Sequence, residues 1–168
     1  MKRLFPLGLV IVGALLSVTA LNQLYLSSRA SSSNAIPLPN QLAGLRITDS
    51  KSGDEAIGDF ADLHGKEFPI TSGAVATYGN HQITLWVAET SSESVAAQLT
   101  NAMQGKIAKG NSPFTPVNEI NDSGRHIYAL EGMGQKHFYF QSDHLVIWLA
   151  ADPDIADNAL QQILEAYP

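Results

Sequence analysis

Leu145-Val146-Ile147-Trp148-Leu149-Ala150 contains no polar residue. A strand that faces water on one side alternates apolar with polar residues, whereas a run that is apolar throughout needs cover on both faces. Its length suits a strand and is too short for a helix of ordinary size. Leu145 to Ala150 is therefore expected to be a central strand, and the fold must supply layers above and below it.

The segments around this run supply the layers. Downstream, Asp152-Pro153 reads as a helix start, with Asp152 as the cap and Pro153 in the first turn. Ile155, Ala159, Ile163 and Ala166, flanked by Leu160 and Leu164, give that helix a buried face ending near Tyr167. Upstream, three strand units follow one another closely: Val117 to Asn121 with Arg125 to Glu131, then Lys136 to Gln141, then the central run itself. Gly132-Met133-Gly134 and Ser142-Asp143 are the expected turns.

Two more helices announce themselves by capping boxes, in which a hydroxyl and a carboxylate three residues later satisfy each other's orphan backbone donors. Ser52-Gly53-Asp54-Glu55 precedes Ala56, Ile57, Phe60 and Leu63, which predicts a helix over about 53–64 with Gly65 as its stop. Thr90-Ser91-Ser92-Glu93 precedes Val95, Leu99, Ala102, Met103 and Ile107, which predicts a helix over about 91–108 closed by Gly110. Between them, Ala74 to Tyr78 and Gln82 to Glu89 flank Gly79-Asn80, a two-residue hairpin signal. Leu42 to Thr48 is a further strand candidate.

The expected order is β-α-β-β-α-β-β-β-α. Hairpins imply mostly antiparallel pairing, and three amphipathic helices need a sheet to cover. The expected class is α+β, a mostly antiparallel sheet packed with three helices in two or three layers. This order of elements resembles the small α/β sandwich of the PsbP group. The resemblance covers the body only, rests on element order, and carries no functional residue with it.

The first residues are of another kind. Lys2-Arg3 is followed by an apolar stretch from Leu4 to Leu26, with no charge before Arg29. A helix needs about 20 such residues to cross a bilayer core of roughly 30 Å. Basic residues before the run and few after it keep the N-terminus in the cytoplasm. Residues 1–28 are therefore expected to be a single transmembrane anchor, with the body outside the cell membrane. The alternative is a secretory signal cleaved after Val18-Thr19-Ala20 or Ser28-Arg29-Ala30. Residues 29–41, rich in serine and proline, read as a linker to a domain at 42–168.

From Pro37 onward the chain carries sixteen acidic and seven basic residues, a formal charge of −9. A charge of that sign repels phosphate backbones, which argues against nucleic acid as a partner. The chain has no cysteine, so packing alone must hold the domain.

No catalytic constellation is expected. There is no Gly-x-Ser-x-Gly elbow, no His-Glu-x-x-His and no phosphate loop. Paired acids such as Asp54/Glu55 and Asp152/Asp154 sit at helix starts, where the macrodipole stabilises negative charge. The single candidate metal cluster is His126, Met133, His137 and His144, a nitrogen and sulfur set that suits copper. It requires neighbouring hairpins to aim four side chains at one point, and polar-face or turn positions account for them otherwise. No resident cofactor is expected. Two residues are candidates for interaction surface: Phe114, on the proline-stiffened loop Asn111 to Pro116, and Tyr139, which points away from the face of Phe138 and Phe140. The other reading folds Phe114 back onto the second helix and places the other rings in the core. The favoured reading is a membrane-anchored, non-catalytic domain that binds another protein at the membrane surface. The rival is a small-ligand or copper-binding domain.

Overall fold

The computed structural model describes residues 35–64, 69–110 and 112–168. The expected anchor, 1–28, lies outside the described residues. Among the described residues no helix is long and apolar enough to cross a membrane.

Eight strands form one antiparallel sheet in the order β1-β2-β3-β4-β8-β7-β6-β5. They are β1 (Gln41–Leu42), β2 (Leu45–Ser52), β3 (Ile70–Tyr78), β4 (Ile83–Thr90), β5 (Thr115–Asp122), β6 (Arg125–Gly132), β7 (Gln135–Ser142) and β8 (Leu145–Ala151). Three helices join them: α1 (Asp54–His64), α2 (Glu93–Ala108) and α3 (Ala156–Ala166). The class is α+β with mostly antiparallel pairing, as the hairpin signals require.

The apolar run at 145–150 is indeed central. β8 lies between β4 and β7, with Trp148 opposite Trp86 on one side and Tyr139 on the other. Ile147 and Leu149 pack with Leu85, Val87, Phe138 and Phe140 against Ala159, Leu160 and Ile163 of α3. Val146 packs on the opposite face with Ala88, Ala56 and Phe60 of α1, and Ala96 of α2. Three layers result, with α3 on one face and α1 and α2 on the other. At Gly73 a side chain would come within 2.9 Å of the Phe60 ring, so glycine lets α1 lie close on β3.

The element order departs from expectation in two places. Four strands, not three, follow α2, because Ser123-Gly124 is itself a tight turn with φ of 52° and 86°. A short β1 precedes β2, folded back through Ala43-Gly44 at φ 47° and 84°. The β3–β4 loop is also longer than the expected Gly79-Asn80 pair. Tyr78 pairs with Ile83, and His81 takes φ 60°.

All three helix starts shift, each because a polar side chain or backbone finds a competing partner. Ser52 belongs to β2, paired with Ala74, and α1 begins on the Ile57 N–H to Gly53 carbonyl bond of 3.0 Å. Thr90 closes β4, with its hydroxyl 2.8 Å from the His144 carbonyl, so Ser92 caps α2 and accepts from the Val95 N–H at 3.3 Å. Asp152 accepts from Gln135 at 3.0 Å, and α3 starts only at Ala156.

Two tethers close the α3 side. Arg125 donates to the carbonyls of Leu164 (3.0 Å) and Tyr167 (2.7 Å), which the end of a helix leaves without partners. Its other nitrogen meets Asp122 at 2.9 Å. The Tyr167 hydroxyl donates to the Pro37 carbonyl at 2.6 Å, and the Tyr78 hydroxyl to the Pro39 carbonyl at 2.8 Å. Ile36 is 8 % exposed and belongs to the α3-side core. The stretch from Ile36 to Pro39, read from composition as linker, is thus strapped to the domain.

Candidate functional site

The candidate metal set is divided between the two ends of the sheet. His126 opens β6, and His144 lies exposed in the β7–β8 turn beside Glu89, at 3.3 Å. His137 lies near the start of β7 opposite Leu130, and Met133 sits in the β6–β7 turn at the same end. At about 3.3 Å per strand residue, on the order of 13 Å or more separates the two groups. Strand register, invisible in residue spacing alone, is what splits them.

His137 is moreover committed elsewhere. Its Nδ1 accepts from the Trp148 indole N–H at 3.2 Å, so Nε2 carries the proton and donates to the Gly132 carbonyl at 3.0 Å. Phe114 and Tyr139, the candidates for interaction surface, sit in the same cluster. The Phe114 ring lies 4.6 Å from His137 and 5.0 Å from Trp148. Tyr139 is 1 % exposed and stacks between Tyr128 and Trp148, at 4.7 and 5.3 Å with interplanar angles of 14° and 11°. Ile107 of α2 covers this cluster with Met103. Gly132 makes room for the Phe114 loop, since a Cβ there would meet the Phe114 ring at 2.7 Å and the Pro113 carbonyl at 2.8 Å. The sequence leaves both readings of these aromatics open, because their cover, the packing of α2 over β7, is a tertiary fact.

Burial holds the His137 pKa below the 6.5 of a free histidine, and the bond to Gly132 opposes this in part. Between the two values the unfolded chain binds a proton that the folded chain resists. The His137 contribution is therefore complete above about pH 6.5 and declines as pH falls toward the folded value. In urea titrations from pH 8 to 5, the stability gap between the natural protein and His137→Gln should narrow with acidification. A gap independent of pH would show that His137 does not titrate this way.

A second arrangement is open to solvent. α3 covers β7 and β8, and Ile127 and Ala129 of β6 are buried beside them, but the α3-side face of β5 is left largely open. A groove of about 390 Å³ lies there. Ala129 and Phe138 line it with Ile120 and Val117 of β5, while Glu131, Lys136 and Asp157 add charge. Lys136 meets Asp157 at 3.2 Å. Val117 is 57 % exposed, and Met133 is 80 % exposed at the tip of the turn joining β6 to β7. Together with Leu63 on α1, these are the exposed large hydrophobic residues among the described residues. Of these, Val117 lines the groove, while Met133 lies beyond it, in the turn that follows Glu131. Met133 also takes φ 53°, a left-handed conformation that costs a non-glycine residue energy and that holds its side chain at the hairpin tip.

The groove was not legible beforehand. Val117 looks like an ordinary strand residue, and only the placement of α3 away from β5 leaves it exposed, while Ile120 is half-buried against the α3-side core. No protein family, curated protein or solved structure matches this chain.

Proposed function

We propose that this protein is a membrane-tethered, non-catalytic binding domain that docks another protein at the extracytoplasmic surface, as an accessory or assembly subunit. The observation that carries the docking part is the groove beside β5, with Val117 exposed in its lining. The tether rests on the apolar stretch from Leu4 to Leu26 and the basic pair before it.

The test is site-specific photocrosslinking in intact membranes, with a benzophenone side chain placed at residue 117, 133 or 63. Leu63 is the control, because it is 69 % exposed yet lies on α1, on the other face of the sheet. Protein adducts are expected at 117 and 133 and not at 63. Val117→Asp should lower the yield at 133 by about tenfold, since an edge contact worth about 1.4 kcal/mol sets that factor. Equal yields at all three positions, or none at any, would remove the groove as the docking site.

The groove volume also falls within the range of small-molecule sites. A small apolar ligand there would be displaced by the substituted residue and leave no protein adduct, so the same experiment separates the two readings.

A further inference from the structure

We infer that the partner binds as an extended strand added to the outer edge of β5, with apolar side chains on the groove side and lysine or arginine on the other. This rests on the docking role proposed above and gives it a mode and a ligand chemistry.

β5 ends the sheet, so its outer backbone groups have no neighbouring strand. Proteins blunt such edges with proline, bulges and charge. Here the proline and the bulge fall together at Pro116 and Val117, at the start of the strand. From Asn118 to Asp122 the strand pairs regularly with β6, without a bulge. An added strand would find donors and acceptors there, and backbone pairing supplies affinity in this mode while side-chain pockets supply selectivity.

Strand alternation then assigns the side chains. Asn118 and Ile120 are opposite Ala129 and Ile127, on the α3 side, so the added strand's residues on that side lie over the groove. Glu119 is opposite Tyr128, on the other side. Glu119 has no ion-pair partner among the described residues, whereas Asp122 of the same strand is matched by Arg125. The edge therefore presents a carboxylate in want of a cation. A second copy of this chain would bring the same carboxylate to the edge, which disfavours self-pairing. A partner strand alternating apolar and basic residues meets both demands.

The probe is the peptide acetyl-Lys-Val-Lys-Val-Lys-Val-Lys-amide, labelled with fluorescein and titrated with the full-length protein in a non-ionic detergent. Binding is expected to be at least about tenfold tighter than that of the same peptide with glutamate for lysine. N-methylation of one alternate set of backbone nitrogens should abolish binding, while methylation of the other set should leave it within about twofold, because only one edge of an added strand pairs. Glu119→Gln should reduce the preference for lysine. Deuterium exchange should slow within residues 118–122 when the peptide is bound. Equal binding of both methylated forms, equal binding of the glutamate peptide, or a 117-to-117 crosslink between two copies would overturn the proposal. If the peptide fails while residue 117 still crosslinks to a partner protein, strand addition falls and the docking reading stands. If both fail, the docking reading falls too.

Discussion

Tyr139→Ala is expected to lower the unfolding free energy by about 3–5 kcal/mol, the range for emptying a large aromatic site in a packed core. For a domain whose whole stability is about 5–15 kcal/mol, that is enough to leave a measurable unfolded population. The expectation follows from position. Tyr139 is 1 % exposed on β7 and fills the space between Tyr128 and Trp148, which themselves lie on neighbouring strands. Ile107 and Leu130 complete the walls. With the ring gone, α2 would have to sink toward the sheet, and the tight fit of Phe114 against Gly132 resists that movement. Tyr139→Phe keeps the stack and should cost less than about 1.5 kcal/mol, as swaps of similar volume do. Urea unfolding followed by tryptophan fluorescence is the measurement. A loss below about 1 kcal/mol for the alanine variant would mean that the stack carries little of the fold's stability.

The same cluster shows where a linear reading stops. Leu145 to Ala150 could be placed at the centre of a sheet because cover on both faces is written into its composition. α2 could be placed within two residues because Val95, Leu99, Met103 and Ile107 repeat at helical spacing. Tyr139 could be placed on the face opposite Phe138 and Phe140 by strand alternation alone. Whether that face was covered could not be read, because it depends on where α2 comes to rest. Helix starts failed for a related reason. Thr90 and Asp152 are good caps in isolation, yet the structure spends them on His144 and Gln135, distant in sequence. The turns at Ala43-Gly44 and Ser123-Gly124 place Ala43 and Ser123 at positive φ, a conformation their residue types do not advertise. The histidine set failed by register: the spacing of His126, His137 and His144 is compatible with one cluster or two, and the hairpin pairing chose two.

Composition misled in one more place, and its consequence is the second large effect. Ile36→Ala is expected to cost about 2–4 kcal/mol, the range for truncating a buried aliphatic residue. A residue in a free linker would cost nothing. Ile36 sits in a serine- and proline-rich neighbourhood, which ordinarily marks a chain segment with nothing to bury. Its side chain is nevertheless 8 % exposed, packed with Tyr167 and the α3-side core, and the backbone on its C-terminal side is held by the hydroxyls of Tyr167 and Tyr78. Burial pushes the Tyr167 pKa up to about 12, so its hydroxyl stays protonated and able to donate throughout the neutral range. Loss of Ile36 should therefore loosen the strap as a unit. Proteolysis between residues 36 and 40 should accelerate by about tenfold or more, in keeping with an opening equilibrium shifted by at least 1.4 kcal/mol. Unchanged cleavage together with an unchanged urea midpoint would return Ile36 to Pro39 to the linker. That outcome would also lengthen the reach of the domain from any membrane anchor by several residues, and with it the set of partner surfaces that the β5 edge can meet.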